Sequence, residues 1–200
     1  MNLSLKQYKA IDLGLIMLIL AVSEVLIARA ARVWFPQEVY ALSPTLTVVT
    51  IVLMRWGKSA AVHAAGGGLA MCLALGADVK QMIVYCAGTC LALAALLMFR
   101  RWDKEQVRNS SLLTLMFTLA AYISAQLGRW LVMLIFGGTV GDLVKLFAAD
   151  SLTLLFTLVA VQLARRIDGL FEDQLHYLIR TQSERRRQQA DDTGCGDVQM

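Results

Sequence analysis

Proline is nearly missing from this chain: there are 2 in 200 residues, with 14 Gly. Linker-like or low-complexity disorder needs far more of both, so that class is excluded. Charge is sparse as well. Asp, Glu, Lys and Arg make up 17% of the residues, against roughly 25% in an ordinary soluble domain. Histidine occurs twice and cysteine four times. Cys72, Cys86 and Cys90 stand in apolar segments, where cysteine behaves as a small hydrophobe. Cys86 and Cys90 are spaced as on adjacent helical turns, but no nearby His or carboxylate completes a metal set. Cys195, in a polar tail, is read as a free thiol. There is no Walker loop, zincin helix, nucleophile elbow or dinucleotide fingerprint. A self-powered ATPase is therefore excluded, and neither an enzyme activity nor a cofactor is expected.

Apolar residues are what the chain has in excess: 58% of the total, with a mean hydropathy of +0.59. A soluble domain this small cannot bury so much apolar surface. A helix needs roughly 20 residues to cross the hydrocarbon. Six segments reach or approach that length: residues 11–31, 39–56, 59–77, 81–99, 110–137 and 143–164. The second is short, with Pro44 near its start, and the third holds Gly66-Gly67-Gly68. No segment keeps a period of two, and lipid admits only helices or closed barrels. The expected fold is an all-α integral membrane protein, a compact bundle of about six transmembrane helices over residues 1–166. A cytoplasmic amphipathic, basic helix is expected over 167–189 and a disordered tail over 190–200. A cleavable leader fits poorly, because the first apolar run is long and contains Glu24 and Arg29.

The net charge of +4 sits beside apolar runs, which points to membrane topology and not to a nucleic-acid partner. With the N-terminus inside, the inner flanks hold Lys6, Lys9, Arg55, Lys58, Arg100, Arg101, Lys104, Arg108, Arg165, Arg166, Arg180, Arg185, Arg186 and Arg187, 14 of the 19 basic residues. The outer flanks hold Arg29, Arg32, Lys80 and Lys145. The bias alternates at every loop, and five or seven spans would destroy it. The expected location is the cell membrane, multi-pass, with both termini cytoplasmic.

Ionisable residues inside lipid cost about 2.5–3.5 kcal/mol each on insertion scales, so they turn to protein or water. Glu24, Gln126, Arg129 and Asp150 all fall in the outer half of their spans at 1.5 Å per residue. Helical spacing puts Tyr122, Gln126, Arg129 and Met133 on one face. Asp150, Thr153 and Thr157 share another, as do Ser43, Thr47 and Thr50. Two readings are open. In one, Glu24, Tyr122, Gln126, Arg129, Asp150 and Thr153 line a ligand pocket open to the outside. Arg129 would then pair an anionic group, Glu24 or Asp150 an amine, and Gly137, Gly138 and Gly141 would hinge a closing loop. In the other, Arg129 pairs with Glu24 or Asp150 in a structural network, while Ser and Thr bond backbone carbonyls. Trp34, Tyr40, Tyr85 and Trp130 would stack on a planar ligand ring in the first reading and form interfacial belts in the second. His63, near the inner end, reads as a packing residue. Ala61, Ala65, Gly68 and Cys72 form a small-residue stripe, which suits internal packing or the docking of a partner helix. Ile167, Leu170, Phe171, Gln174, Leu175 and Leu178 give the C-terminal helix its apolar face, suited to the lipid interface.

The run Ala41-Leu42-Ser43-Pro44-Thr45, then Arg55-Trp56-Gly57-Lys58 and the Ala/Gly-rich third span, resembles the second and third helices of the substrate-binding (S) components of energy-coupling factor transporters. Length and layout are similar throughout. The resemblance implies a six-helix bundle that takes a vitamin-like micronutrient from outside, with a partner membrane subunit and ATPases supplying the energy. It also implies docking on an Ala-x-x-x-Ala pattern in the first span. This chain departs there: Ala21 is followed by Val25, and Glu24 intervenes, while the pattern occurs as Ala60/Ala64 and Ala61/Ala65. Two other classes fit the same layout. One is an envelope scaffold similar to the rod-shape-determining membrane proteins. The other is a membrane sensor or anchor acting through the C-terminal helix.

Overall fold

The computed structural model describes residues 5–34, 42–167, 170–171 and 183, and every element in them is helical. The order is α1 (Leu5–Trp34), α2 (Thr45–Trp56), a 3-10 turn (Gly57–Ser59), α3 (Ala60–Leu75), α4 (Val79–Thr89) running on as a tighter 3-10 helix (Cys90–Arg100), α5 (Lys104–Asn109), α6 (Ser111–Ile135), α7 (Gly141–Ala149) and α8 (Ser151–Ala164). Local chemistry sets the boundaries. Asp78 starts α4 by accepting from the Gln81 N–H at 2.8 Å. Asp103 and Gln106 form a capping box on α5. Gly57 ends α2 at φ +59°, ψ −124°, a conformation essentially closed to residues with a Cβ.

That glycine turns the chain back. A Cβ on Gly67 would run into the Thr45 side chain. In one straight helix those residues would lie about 33 Å apart. Side-chain contacts give the directions of the rest. Asp12 reaches Arg55 and Trp56, and Glu24 reaches Thr45, so α1 and α2 are antiparallel. Cys90 meets Ala61 and Gly68 backs onto Tyr85, so α3 and α4 are antiparallel. Phe99 stacks on Phe117 and Thr89 meets Arg129, which sets α4 against α6. Gln126 meets Asp150 and Ser111 meets Gln162, which sets α6 against α7 and α8. Among the described residues, these contacts set neighbouring long helices antiparallel to one another.

By length and hydropathy, four helical stretches suffice to cross a membrane, Thr45–Leu75 counted as one of them, or up to five if the bent pair α7–α8 is counted as one span. The polarity of the bundle agrees with an apolar surround. On α1, Ile11, Leu15, Leu18, Ile19, Val22 and Leu26 are each at least half exposed, while Glu24 is fully buried. Arg129, Asp150, Gln126 and Arg55 are buried too. Water would oppose this inside-out arrangement, and lipid favours it.

The small residues of α3 pack inside the bundle. Ala60 and Ala64 are fully buried, Gly67 lies against Thr45 and Leu20, and Gly68 against the backbone of Tyr85 and Cys86. Ala61 and Ala65 are half-buried on the side of α4. Two features differ from expectation. The sixth segment is not one helix: α7 and α8 are bent by 49° at Asp150. No proline causes this. Aspartate is a weak residue in a helix interior, and here its carboxylate is drawn sideways to α6. The short helix α5 was also not anticipated, because its six residues are polar. Of the expected C-terminal apolar face, Phe171 is buried in the core. The rest of the 167–189 helix, the 190–200 tail, Tyr40 and Cys195 fall outside the described residues, apart from Ile167, Leu170 and Ser183.

Candidate functional site

Two polar clusters meet at one level of the bundle. The first is built on Glu24, at the centre of the buried stripe of α1. One of its oxygens, Oε1, accepts from Ser43 Oγ, from Thr45 Oγ1 and from the Thr45 N–H at 2.9 Å. The sequence places Pro44 and Thr45 where α2 starts, so the carboxylate caps another helix's N-terminus, where the dipole favours negative charge.

The second cluster is built on α6. Tyr122, Gln126 and Arg129 share a buried face, as their spacing predicts. Arg129 pairs with Asp150 and donates through Nε to Thr89 Oγ1 at 2.9 Å. Its guanidinium lies 4.5 Å from the centre of the Tyr85 ring, a cation–π contact. Gln126 donates through Nε2 to Asp150 Oδ2 at 2.7 Å. The Tyr122 ring meets Phe147 edge-on, with 5.7 Å between centres. Ser43 joins the clusters: its hydroxyl goes to Glu24, and its N–H donates to Thr153 Oγ1 at 3.1 Å, one turn beyond Asp150. Glu24 and Thr153 are thus linked through Ser43, and Gln126 and Arg129 through Asp150, while the Tyr122 ring packs on Phe147.

The backbone around Arg129 is unusually tight. Gly88 on α4 and Gly128 on α6 face each other, and a Cβ on Gly88 would fall on the Arg129 backbone. Close approach of two helices is what small residues permit in lipid. It also brings Thr89 and Tyr85 within reach of the guanidinium.

The arrangement decides several assignments. Arg129 and Asp150 neutralise each other, as the structural-network reading expected of them. Glu24 lies within electrostatic reach of Arg129 but makes no ion pair with it. Among the described residues Glu24 Oε2 is buried here without a hydrogen-bond partner, as are Arg55 Nε and His63 Nδ1 at the opposite end, and the Tyr122 hydroxyl lies beside the Gln126 side chain. The Gln126 amide must present its N–H to Asp150, so its carbonyl is the end left over. The sequence left Tyr85 between an interfacial belt and a ring-stacking role and gave no site role to Thr89 or Thr45; Tyr85 lies under the Arg129 guanidinium. Trp34 is largely exposed, whereas Trp130 donates to Thr139 O at 3.2 Å.

The loop of Gly137, Gly138 and Gly141 is tied down. Lys80 donates to Phe136 O at 2.8 Å, and Thr139 donates through both N and Oγ1 to Asp142. At the opposite end, His63 Nε2 lies 3.1 Å from Leu13 O in a buried packing position. Asp12 there meets Arg55 at 3.0 Å and accepts from Trp56 Nε1 at 2.6 Å. Among the described residues, no three of His, Cys, Asp and Glu come together as a metal set. Compared with known protein families, curated proteins and solved structures, the chain matches none.

Proposed function

We propose that this chain is a six-span membrane protein that binds a small molecule from the outer side, as the substrate-binding subunit of a micronutrient importer. Both termini are cytoplasmic in this reading. Lys58, Arg100, Arg101, Arg108 and Arg165 gather at the end of the bundle that holds Asp12, and Lys and Arg accumulate inside. The Glu24–Arg129 level then lies toward the outside. A separate ATPase-coupled membrane subunit supplies the energy, and this chain carries out no bond chemistry of its own.

One observation supports the reading above the others. Glu24, Gln126 and Tyr122 are buried inside the bundle, and Glu24 Oε2 has no hydrogen-bond partner among the described residues. Buried polar groups left unsatisfied cost about 1–3 kcal/mol each. Native proteins retain few of them, and a ligand that bonds them removes the cost. Native mass spectrometry of the protein in mild detergent tests this. A bound metabolite at one per chain is expected.

A second reading, an envelope scaffold, draws support from the closed Arg129–Asp150 pair. It predicts no bound small molecule, and co-purification with other membrane proteins of the envelope.

A further inference from the structure

We propose that the Asp12 end of the bundle carries a docking surface for the phosphate headgroups of anionic phospholipids, centred on Arg100, Arg101 and Lys104. The proposal rests on the membrane-spanning reading. It needs neither a small-molecule ligand nor a direction across the membrane.

The fold gathers this surface from distant parts of the chain. The turn Gly57–Ser59 packs on the 3-10 helix that ends at Arg100. Arg165, just past α8, donates to Asn109 O at 3.0 Å, which sets the end of α8 against the end of α5. α1 joins through Asp12, bonded to Arg55 and Trp56. Within residues 5–12, 55–60, 99–110 and 164–167, ten Lys and Arg stand against three acids. Each of those acids is already engaged. Asp12 holds Arg55 and Trp56, Asp103 caps α5, and Glu105 lies 3.8 Å from Arg108.

The two ends of the bundle treat their cations differently. At the Glu24 end, three of the four described Lys and Arg residues outside the core are taken by the protein. Arg32 donates to Leu75 O, Lys80 donates to Phe136 O at 2.8 Å, and Lys145 pairs with Asp142 at 2.8 Å. At the Asp12 end, Lys6, Lys58, Arg100, Arg101, Lys104 and Arg166 are exposed and make no side-chain hydrogen bond or ion pair among the described residues. Cations gathered at one level without counter-charge repel one another. A layer of anionic headgroups relieves that repulsion.

The setting of the central three points to a lipid and not to a soluble anion. They follow directly on an apolar helix whose Leu91 and Leu97 are exposed. The Lys104 ammonium lies 5.9 Å from the centre of the Phe99 ring, and the Arg101 guanidinium 5.9 Å from the Trp102 ring. Trp102 itself is half-buried. Trp beside Lys and Arg at the end of an apolar helix is the composition of the headgroup level, where stems lie on apolar groups and charged heads reach phosphate. Arginine can also take two phosphate oxygens at once. A soluble anion has no use for the apolar surface alongside.

The test puts the full chain in nanodiscs of equal phosphatidylglycerol and phosphatidylcholine and counts, by native mass spectrometry, the lipids that stay bound. Wild type should retain phosphatidylglycerol over phosphatidylcholine by about fivefold or more, since each basic residue at an anionic surface contributes about that factor. Arg100→Gln, Arg101→Gln and Lys104→Gln together should cut the ratio by at least about fivefold. Arg100→Lys with Arg101→Lys should keep most of it. Arg29→Gln with Lys145→Gln, exposed cations of the other end, should leave it unchanged. The wild-type ratio needs no variant, so misfolding of the triple variant does not obscure it. A wild-type ratio near one overturns the inference, and binding of a short duplex DNA or an acidic peptide to the same discs would then assign the surface to a soluble partner. A folded triple variant that keeps the wild-type ratio also overturns it, as does an equal loss in Arg29→Gln with Lys145→Gln, which would reduce the effect to net charge. A chain that stays outside the discs and soluble without detergent overturns the membrane reading, and the inference with it.

Discussion

Replacing Arg129 by Met should destabilise the bundle, and replacing Asp150 by Leu at the same time should restore it. Both side chains are nearly inaccessible, at 2% and 3% exposure. Arg129→Met keeps most of the stem and removes the charge. Asp150 is then left with the Gln126 amide alone. Breaking a buried pair from one side costs about 3–5 kcal/mol, because the remaining charge stays buried. In a membrane the unfolded helices find other partners, so the lower end, about 3 kcal/mol, is expected here. Asp150→Leu should cost less, since the Tyr85 face and Thr89 still hold the guanidinium. A desolvated cation–π contact is worth about 2 kcal/mol. In the double variant no charge is stranded, and apolar pairs of similar volume are often neutral or better. Its stability should lie within about 1 kcal/mol of wild type. Steric-trap unfolding in bicelles measures all four proteins on one scale. If the two single losses simply add in the double variant, the residues are not coupled, and the argument for a mutually neutralised pair is wrong.

The other expectations rest on separate contacts. Gly88→Val should lower stability by about 1–3 kcal/mol through overpacking against the Arg129 backbone, seen as earlier thermal aggregation in detergent. Glu24→Gln should leave the protein about as stable as wild type, because the amide carbonyl keeps the acceptor for the Thr45 N–H; a large loss in differential scanning would contradict this. Asp12→Asn should cost about 1–3 kcal/mol by weakening the hold on buried Arg55, and denaturation in SDS would show it. On intact cells of a cysteine-free background, Lys145→Cys should react with an impermeant maleimide and Lys58→Cys should not; the opposite pattern reverses the orientation.

The helical class of the fold was legible because long apolar segments without a period of two leave few alternatives to helix. What could not be read is where the backbone departs from a straight helix. The 49° bend at Asp150 has no proline to announce it. It follows from a side-chain bond to α6, which is a tertiary fact. The buried polar residues were legible in the faces they share and not in their pairings. Spacing along α6 put Tyr122, Gln126 and Arg129 on one face. Nothing in the sequence says whether Arg129 turns to Glu24, to Asp150 or to a ligand. That choice depends on how near α4 comes, and so on Gly88 meeting Gly128 across a crossing that no local pattern encodes. The small-residue stripe of α3 shows the same ambiguity. Sequence allowed internal packing or docking, and Gly67 and Gly68 are occupied from within by Thr45 and Tyr85.

The two carboxylates of α1 also explain why α2 is so short. Asp12 and Glu24 are separated by about 18 Å along α1 at 1.5 Å per residue. The 12 residues of α2 cover the same distance in reverse, from Thr45 beside Glu24 to Trp56 beside Asp12. A hairpin of that length matches the spacing of its two fasteners, and Gly57 turns the chain as soon as the second is reached. The register of α2 is thus fixed at both ends, and α3 inherits it through the turn. Sliding α2 by one helical turn would break both fastenings together and strand Arg55 and Glu24 in the bundle. The fastening at Glu24 must therefore persist whether or not a ligand is bound. Any ligand at this level meets a carboxylate whose first oxygen is immobilised by three donors and whose second is presented in a fixed direction. Preorganisation of that kind lowers the ordering cost of binding. It also fixes what should happen when the fastening is loosened. Ser43→Ala removes one of the three donors on Glu24 and leaves both backbone bonds of this turn in place. The fold should survive, with a loss of about 1 kcal/mol, while ligand affinity falls because Glu24 is held less firmly. If affinity is unchanged and stability alone drops, Glu24 is a fastener and nothing more.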